Sequence, residues 1–172
     1  LYAPFGPAVV ARVVAYHLDH GWISRFEKFR HFHREFLRKT LSPEEEAALG
    51  ARFSALVEDE VVVSPWVRGA REFLDDYHER LPLFVASGTP EPELLRIATR
   101  RALRHYFVSV HGSPATKAEI IRLVVQRHGF PPGRVLMVGD ALSYYAGAAA
   151  TGLRFIGRVT DDRNPFPPGT VT

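Results

Sequence analysis

The chain contains no cysteine among its 172 residues. This absence excludes disulfides, thiolate catalysis and cysteine-based zinc sites. It is also common in proteins of the reducing cytoplasm, so we expect a cytoplasmic location. The sequence has no apolar run long enough to cross a bilayer, and we expect no membrane partner.

Blocks of like charge are also absent. Lysine and arginine number 22 against 19 aspartates and glutamates, which leaves a net charge of +3 that is spread along the chain. Nucleic-acid-binding proteins concentrate basic residues in a patch, so we expect no nucleic-acid partner. Apolar residues make up 46% of the chain, which is enough for a packed core in one domain or in one core with a small insertion.

The pattern of apolar residues divides the chain in two. Residues 1 to about 64 have only helical periodicity, whereas residues 65–172 alternate between strand and helix signals. Short connections between alternating strands and helices favour right-handed crossovers and hence a parallel sheet. The sequence therefore predicts an all-helical first part and an α/β second part with a Rossmann-like parallel sheet.

Three helices are predicted in the first part. The first runs from about Pro7 to His20 and is ended by Gly21, since glycine is favoured just after a helix. The second begins at Ser24 and the third at Ser42, each with a glutamate three residues later in the pattern of a capping box. Their expected buried faces are formed, in order, by Val9, Val10, Val13, Val14 and His17; by Phe26, Phe29, Phe32, His33 and Phe36; and by Leu49, Phe53, Leu56 and Val57.

The second part contains four short apolar runs that predict buried strands, and four helical segments. Glycine, proline or small polar residues bound these runs, as is typical of a parallel sheet. Thr89 is predicted to cap the helix after the first strand, with Pro90 at its first position, and Thr116 to cap the helix after the second. The predicted strands cover residues 83–86, 107–110, 135–138 and 155–157, and the predicted helices cover 69–80, 90 onwards, 116 onwards and 146–150.

Polar residues follow three of these strands. Ser87 offers a hydroxyl and Gly88 a backbone N–H near a helix N-terminus, which together suit an anion. Lys117 is a cation in the first turn of a helix, where the helix dipole disfavours positive charge, so another partner is expected. Asp140 directly follows the clearest strand and offers the hard oxygen ligand that Mg²⁺ prefers. Since the carboxyl ends of parallel strands share one edge, we expect these residues to lie together and to bind a phosphoryl group.

The order of these motifs resembles the haloacid-dehalogenase-like superfamily, in its branch with a helical cap inserted after the first strand. LFVASGTP at Leu83–Pro90 is similar to the second motif of that family, and Lys117 is similar to the lysine of the third. VLMVGDALSYYAGAAATG at Val135–Gly152 resembles the fourth motif. The resemblance covers nearly the whole chain and is closest to the phosphoglycolate-phosphatase and β-phosphoglucomutase-like hydrolases. It implies that residues 1–64 form an α-helical cap and residues 65–172 an α/β core that lacks its first strand.

The resemblance also implies a function. It indicates a Mg²⁺-dependent phosphatase that acts on a small phosphorylated metabolite through an aspartyl-phosphate intermediate. Ser87, Gly88 and Lys117 would bind the phosphate, and Asp140 would hold the metal. The catalytic residues of this chain would be Ser87, Lys117 and Asp140. We expect a monomer or a weak homodimer.

Two departures from the family pattern bear on activity. The Asp-x-Asp pair of the first motif, which supplies the nucleophile and the general acid–base, is absent. The remaining acidic pairs, Asp75-Asp76 and Asp161-Asp162, follow a helix and a loop and do not fit this motif. We therefore expect a strand ending in Asp-x-Asp to be encoded upstream of Leu1, and this chain alone to be inactive. Tyr144 stands where the fourth motif usually carries a second aspartate, and tyrosine does not replace a carboxylate ligand at neutral pH.

Other polar residues of the helical part have two interpretations. In capped members of the family the region of Arg25 and Lys28 faces the active site, so these residues would bind an anionic leaving group, unless they form a solvated helix face. His17 and His20 have the spacing of metal ligands, with Asp19 nearby. His17 nevertheless falls on the valine face of its helix, which favours packing over metal binding.

Three other functions are compatible with parts of this pattern. A non-catalytic descendant of the family would bind a phosphorylated ligand or protein, and Tyr144 favours this alternative. A response-regulator-like or other doubly wound binding domain fits the second part but not the helical first part. A dehalogenase would share Ser87 and Lys117 but needs no metal, so magnesium dependence of the full-length protein separates these alternatives.

Overall fold

The structure, a computed structural model, describes residues 1–20, 23–160 and 164–172. These residues form two compact units, Leu1–Ser64 and Pro65–Thr172. Within the described residues the first unit contains helices only, and the second alternates parallel strands with helices. The α/β fold class predicted from the sequence is therefore confirmed. Our expectations for Gly21 and for Asp161-Asp162 fall outside the described residues.

Three α-helices and a π-helical segment build the first unit. They are α1 (Pro7–Asp19), α2 (Arg25–His31), the π-helical continuation Phe32–Leu37 and α3 (Pro43–Val63). Ser24 caps α2, because its Oγ accepts a hydrogen bond from Glu27 N at 3.2 Å. Ser42 and Glu45 form both bonds of a capping box at the start of α3. Both predicted helix starts are confirmed.

Aromatic side chains form the core of the first unit. Tyr2, Phe29 and Phe32 are buried, and Phe26 and Phe36 pack against them. The rings of Tyr2 and Phe32 meet edge to face at 5.3 Å, a favourable arrangement because the positive edge of one ring faces the negative face of the other. The predicted phenylalanine stripe is confirmed as the buried face of α2 and its continuation.

The predicted faces of α1 and α3 are partly wrong. Tyr16 rather than His17 completes the buried face of α1, since its ring lies edge-on to Phe32 at 5.6 Å, whereas Val14 and His17 are exposed. On α3, Leu56 is 55% exposed. Because α3 has 21 residues and α2 only 7, the later turns of α3 have little to pack against within this unit.

Two pairs of parallel strands and four helices build the second unit. In chain order they are α4 (Ala70–Tyr77), β1 (Phe84–Pro90), α5 (Glu91–Arg100), β2 (Ser109–Ser113), α6 (Lys117–His128), β3 (Leu136–Gly139), α7 (Leu142–Ala149) and β4 (Arg154–Gly157). β1 pairs with β2, and β3 pairs with β4. Among the described strands, β1 and β3 each pair along one edge only. None of the helices in the described ranges is both long and apolar enough to cross a membrane.

Several predicted boundaries in this unit are wrong. β1 continues to Pro90, where we expected a turn, because its pairing with β2 resumes there after an irregularity. Pro90 rather than Thr89 is consequently the N-cap of α5, which begins at Glu91. β2 begins later than predicted, at Ser109, and α7 begins earlier, at Leu142.

The core of the second unit lies around α6. Ile120 and Ile121 are buried as predicted, and α7 packs beside them. The expectation that β3 is buried is wrong, because Leu136 is 51% and Val138 58% exposed. The described helix that contacts β3 most, α7, covers the opposite face of that strand, where Tyr144 packs on Gly139.

Candidate active site

The carboxyl end of β1 contains a bulge that carries Ser87 and Gly88. The register between β1 and β2 shifts between Ala86 and Pro90. Bulges of this kind redirect a strand and are common beside functional sites. Ser87 Oγ accepts a hydrogen bond from Thr89 N at 3.1 Å. Since a hydroxyl can donate as well as accept, Ser87 retains a donor for an anionic ligand.

Lys117 is a buried cation beside this bulge. It is the first residue of α6, and the predicted capping box of Thr116 and Glu119 is present. Lys117 is only 8% exposed, and a Cβ built on Gly88 would lie 4.0 Å from its Nζ. Burial lowers the pKa of Lys117 because desolvation disfavours the charged form. Among the described residues no carboxylate forms an ion pair with Lys117, so an anionic ligand would find an unpaired positive charge.

The side chain of Lys117 also has a packing role. A Cβ on Gly147 would lie 2.7 Å from Lys117 Cβ, so α7 approaches α6 closely only because residue 147 is glycine. The position of its stem is fixed by this contact between the two helices.

Tyr144 packs between Lys117 and Asp140. Lys117 Nζ lies 4.9 Å from the centroid of the Tyr144 ring, within the range of a cation–π interaction. A Cβ on Gly139 would fall 2.5 Å from Tyr144 Cβ, so this glycine makes room for the side chain. Burial, and then the negative charge of Asp140, raise the pKa of Tyr144, which keeps the phenol neutral. Tyr144 thus contributes an aromatic surface where the family motif carries a carboxylate.

Asp140 directly follows β3, and its carboxylate is 60% exposed. Asp140 does not cap α7, because the N-cap of that helix is Ala141. Arg158 NH1 lies 3.9 Å from Asp140 Oδ2, and an exposed pair of this kind contributes at most about 1 kcal/mol. An exposed carboxylate fits one coordination position of Mg²⁺. No group of three or more His, Asp or Glu side chains suited to a metal occurs in the described part of the chain.

Arg25 and Lys28, the predicted substrate residues of the helical unit, do not form a solvated face. Arg25 NH1 donates to Ser54 Oγ at 3.0 Å, and its guanidinium lies 4.6 Å from the centroid of the Phe53 ring. Lys28 is only 4% exposed, and its Nζ lies 3.2 Å from His17 Nδ1. Burial lowers the pKa of Lys28, and burial together with the charge of Lys28 lowers the pKa of His17. The role of both cations in substrate binding stays a prediction.

The acidic pair Asp75-Asp76 lies on α4, which precedes β1, and Asp75 contacts Tyr106, which precedes β2. Asp75 accepts a hydrogen bond from the Tyr106 hydroxyl and pairs with Arg71 at 3.7 Å. The hydrogen bond to Asp75 is the main reason why the pKa of Tyr106 is raised. These contacts give Asp75 a structural role within the second unit.

Within the second unit, the structure places the residues that the sequence nominated in a continuous series. Gly88 is next to Lys117, and Lys117 contacts Tyr144. The negative charge of Asp140 in turn raises the pKa of Tyr144. Sequence reasoning missed Arg158, which reaches Asp140 from the end of β4. No local pattern could have indicated that contact, because it depends on the pairing of β3 with β4.

The comparisons with known proteins agree with the fold and with the order of these motifs. A family model of haloacid dehalogenase-like hydrolases matches residues 4–152. The chain therefore belongs to the haloacid dehalogenase-like hydrolase family, and the resemblance inferred from its motifs is confirmed. A comparison with curated proteins gave no significant match.

Solved structures of other proteins share this fold. A predicted phosphoglycolate phosphatase from Haemophilus somnus is 19% identical, with a TM-score of 0.66 over 82% of this chain and 68% of that one. A HAD-superfamily hydrolase of subfamily IA from Geobacter sulfurreducens is 22% identical, with a TM-score of 0.57 over 80% of this chain. The HAD-hydrolase YfnB from Bacillus subtilis, bound to magnesium, is 17% identical, with a TM-score of 0.66 over 95% of this chain and 75% of that one. The chain spans 64% of the length of the Geobacter protein.

Proposed function

We propose that the complete protein is a phosphatase that hydrolyses the phosphoric monoester of a small metabolite. The observation that carries this proposal is Lys117, a buried cation without a carboxylate partner in the described ranges, next to the bulge of β1. A buried charge is costly unless an opposite charge meets it. A phosphoryl group would supply that charge, and membership of a hydrolase family supports hydrolysis as the reaction.

The residues of the bulge and of α6 would bind the phosphoryl group. The Ser87 hydroxyl and the Gly88 N–H would donate to its oxygens, and Lys117 would neutralise the charge that grows on them in the transition state. An aspartate carboxylate would attack phosphorus, and the phosphorus–oxygen bond of the ester would break. A second aspartate would protonate the leaving alkoxide, and water would then hydrolyse the aspartyl phosphate. We propose that both aspartates are encoded upstream of Leu1.

The proposed upstream strand has free edges to pair with. β1 and β3 each pair along one edge only among the described strands, and all the described pairs are parallel. Unpaired strand edges expose backbone donors and acceptors that favour the addition of another strand. A parallel strand that ended beside Ser87 and Asp140 would bring its aspartates to the phosphate.

Asp140 is the residue of this chain that would hold Mg²⁺. Its carboxylate is exposed at the end of β3 and is a hard oxygen ligand. The ion would supply positive charge to the phosphoryl oxygens. Tyr144 contributes no carboxylate, so Asp140 would share the ion with the upstream aspartates. The magnesium-bound relative from Bacillus subtilis supports this part of the proposal.

A non-catalytic phosphoryl-binding protein is the second candidate. Tyr144 in place of an aspartate, and the contact of Arg158 with Asp140, both reduce the negative charge available to a metal ion. Such a protein would bind phosphorylated ligands through Ser87, Gly88 and Lys117 without turnover.

The upstream coding sequence and the activity of the full-length protein test these proposals. We expect an apolar strand that ends in Asp-x-Asp upstream of Leu1, and hydrolysis of p-nitrophenyl phosphate that requires Mg²⁺ and stops with chelator. Residues 1–172 alone are expected to release no phosphate. An upstream sequence without Asp-x-Asp would refute the phosphatase proposal. Phosphate binding without turnover in a protein that carries the motif would support the second candidate.

A further inference from the structure

We propose that Glu91 is a positioning residue for the phosphate-binding bulge, which it holds in place through a hydrogen bond to β2. This inference rests on the proposed function of the bulge. Glu91 is the first residue of α5 and directly follows the end of β1. Among the described residues its hydrogen bond goes to Gly112 and its close charged neighbour is His111, so it would act on the phosphate site through the backbone of the bulge.

The bulge leaves one residue of β2 without a partner in β1. Ala86 pairs with His111 and Pro90 with Ser113, so the residues 87–89 stand opposite Gly112 alone. Regular pairing would place one residue of β1 opposite Gly112. The extra residues must therefore loop out of the ladder, and something must fix the shape of that loop.

The backbone of β2 approaches the end of the bulge very closely at Gly112. A Cβ on Gly112 would lie 2.4 Å from Thr89 O and 2.6 Å from both N and Cα of Glu91. No side chain fits in that space. Gly112 N instead donates a hydrogen bond to Glu91 Oε2 at 3.1 Å. The carboxylate of Glu91 thus bonds the C-terminal end of the bulge to β2.

His111 adds a second contact to the same oxygen. Its Nδ1 lies 3.9 Å from Glu91 Oε2, and its Nε2 lies 2.8 Å from Ser109 Oγ. These contacts extend along β2 on the side of α5. They hold the imidazole next to the carboxylate and restrict its rotation. Glu91 is therefore linked to β2 by the hydrogen bond from Gly112 N, and the His111 ring lies beside its carboxylate.

The hydrogen bond between Gly112 and Glu91 helps to fix the positions of Ser87 and Gly88. The Ser87 hydroxyl is already oriented by Thr89 N within the bulge, and Thr89 O lies against Gly112. If the bond from Glu91 is lost, the end of the bulge can move away from β2. The Ser87 hydroxyl and the Gly88 N–H would then no longer converge on one phosphate position beside Lys117.

Inorganic phosphate binding to the full-length protein tests this inference, with three variants. Glu91→Ala removes the acceptor. Glu91→Gln keeps an amide oxygen that can accept from Gly112 N. Glu72→Ala, in the first turn of α4, is the matched control for the loss of an acidic residue near a helix N-terminus in the same unit. Since the Glu91 side chain is 47% exposed, its removal should leave the protein folded, which thermal unfolding can verify.

We expect Glu91→Ala to weaken phosphate binding roughly threefold to tenfold, the range of one typical intramolecular hydrogen bond. Glu91→Gln and Glu72→Ala should bind as the wild type does. Wild-type affinity in Glu91→Ala, or equal losses in the alanine and glutamine variants, would overturn the proposal. If the wild type binds no phosphate, the proposed function fails. The inference about Glu91 is then decided by the amide resonances of Ser87–Thr89, which Glu91→Ala should shift and Glu72→Ala should not.

Discussion

The ammonium group of Lys117 lies over the ring of Tyr144, with 4.9 Å between Nζ and the ring centroid. This contact joins the segments that resemble the third and fourth motifs of the family, through a residue that departs from the family pattern. A cation over an aromatic face is stabilised without any carboxylate, by about 1–2 kcal/mol in partly buried sites. Lys117 therefore keeps a fixed position while its charge remains available to an anion.

Replacement of Lys117 should separate its charge from its packing. Lys117→Met keeps the stem that packs against Gly147 but removes the ammonium group. We expect turnover of the full-length protein to fall about a hundredfold, which corresponds to ~3 kcal/mol of lost transition-state stabilisation. Steady-state kinetics on p-nitrophenyl phosphate measures this effect, and Lys39→Met, at an exposed lysine, is the control. Unchanged turnover in Lys117→Met would mean that the active site has been assigned to the wrong residues.

Replacement of Tyr144 tests whether position 144 lies at the metal. Tyr144→Asp should restore a second carboxylate near Asp140 and lower the magnesium concentration for half-maximal activity. The same change removes a ring that fills the space over Gly139, so thermal stability should decrease. Tyr144→Phe keeps the ring and should alter neither quantity appreciably. If the magnesium concentration for half-maximal activity is unchanged or higher in Tyr144→Asp, residue 144 does not contact the ion.

Removal of Arg158 should make Asp140 a better metal ligand. The guanidinium lies 3.9 Å from the carboxylate and competes with any cation there. Because the pair is exposed and contributes at most about 1 kcal/mol, we expect Arg158→Gln to strengthen magnesium binding by no more than about fivefold. Magnesium titrations at low ionic strength measure the effect, and Arg154→Gln, at the start of β4, is the matched control. Equal magnesium midpoints in Arg158→Gln and Arg154→Gln would contradict the proposal that Arg158 competes with the ion for Asp140.

The contact of Lys28 with His17 predicts how the stability of the helical unit depends on pH. The pKa of His17 is lowered in the folded state, by burial first and by Lys28 second. The unfolded chain therefore binds more protons than the folded chain as the pH falls through the ordinary histidine pKa of about 6.5. Stability should consequently decrease as the pH is lowered through that value towards the lowered pKa.

Chemical denaturation of the wild type and of His17→Gln at several pH values between 5 and 8 tests this prediction. The wild type should lose stability towards pH 5 more steeply than His17→Gln, because the glutamine cannot acquire a second positive charge beside Lys28 Nζ. His128→Gln, near the end of α6, is the control for a histidine replacement elsewhere. Parallel pH profiles for the wild type and His17→Gln would show that protonation of His17 does not cause the loss of stability.

Local sequence patterns were sufficient for many of the elements. The capping boxes at Ser42 and Thr116 predicted two helix starts correctly, because their hydrogen bonds join residues three positions apart. The spacing of phenylalanines predicted the buried face of α2, because helical periodicity fixes which residues share a face. The order of Ser87, Lys117 and Asp140 was enough to recognise the family, which the family model confirmed.

Contacts between distant segments decided the rest. The length of β1 and the bulge at Ser87 depend on the register with β2, which no local pattern contains. The burial of Lys28 was missed because it depends on α1, and the partner of Asp140 because it comes from the end of β4. The sequence by itself determined the helix caps, the amphipathic faces and the motif order, since these arise from interactions within a few residues. Only the tertiary structure decided that Tyr144 supports Lys117 and that Glu91 reaches Gly112, since both contacts require separate elements to pack together.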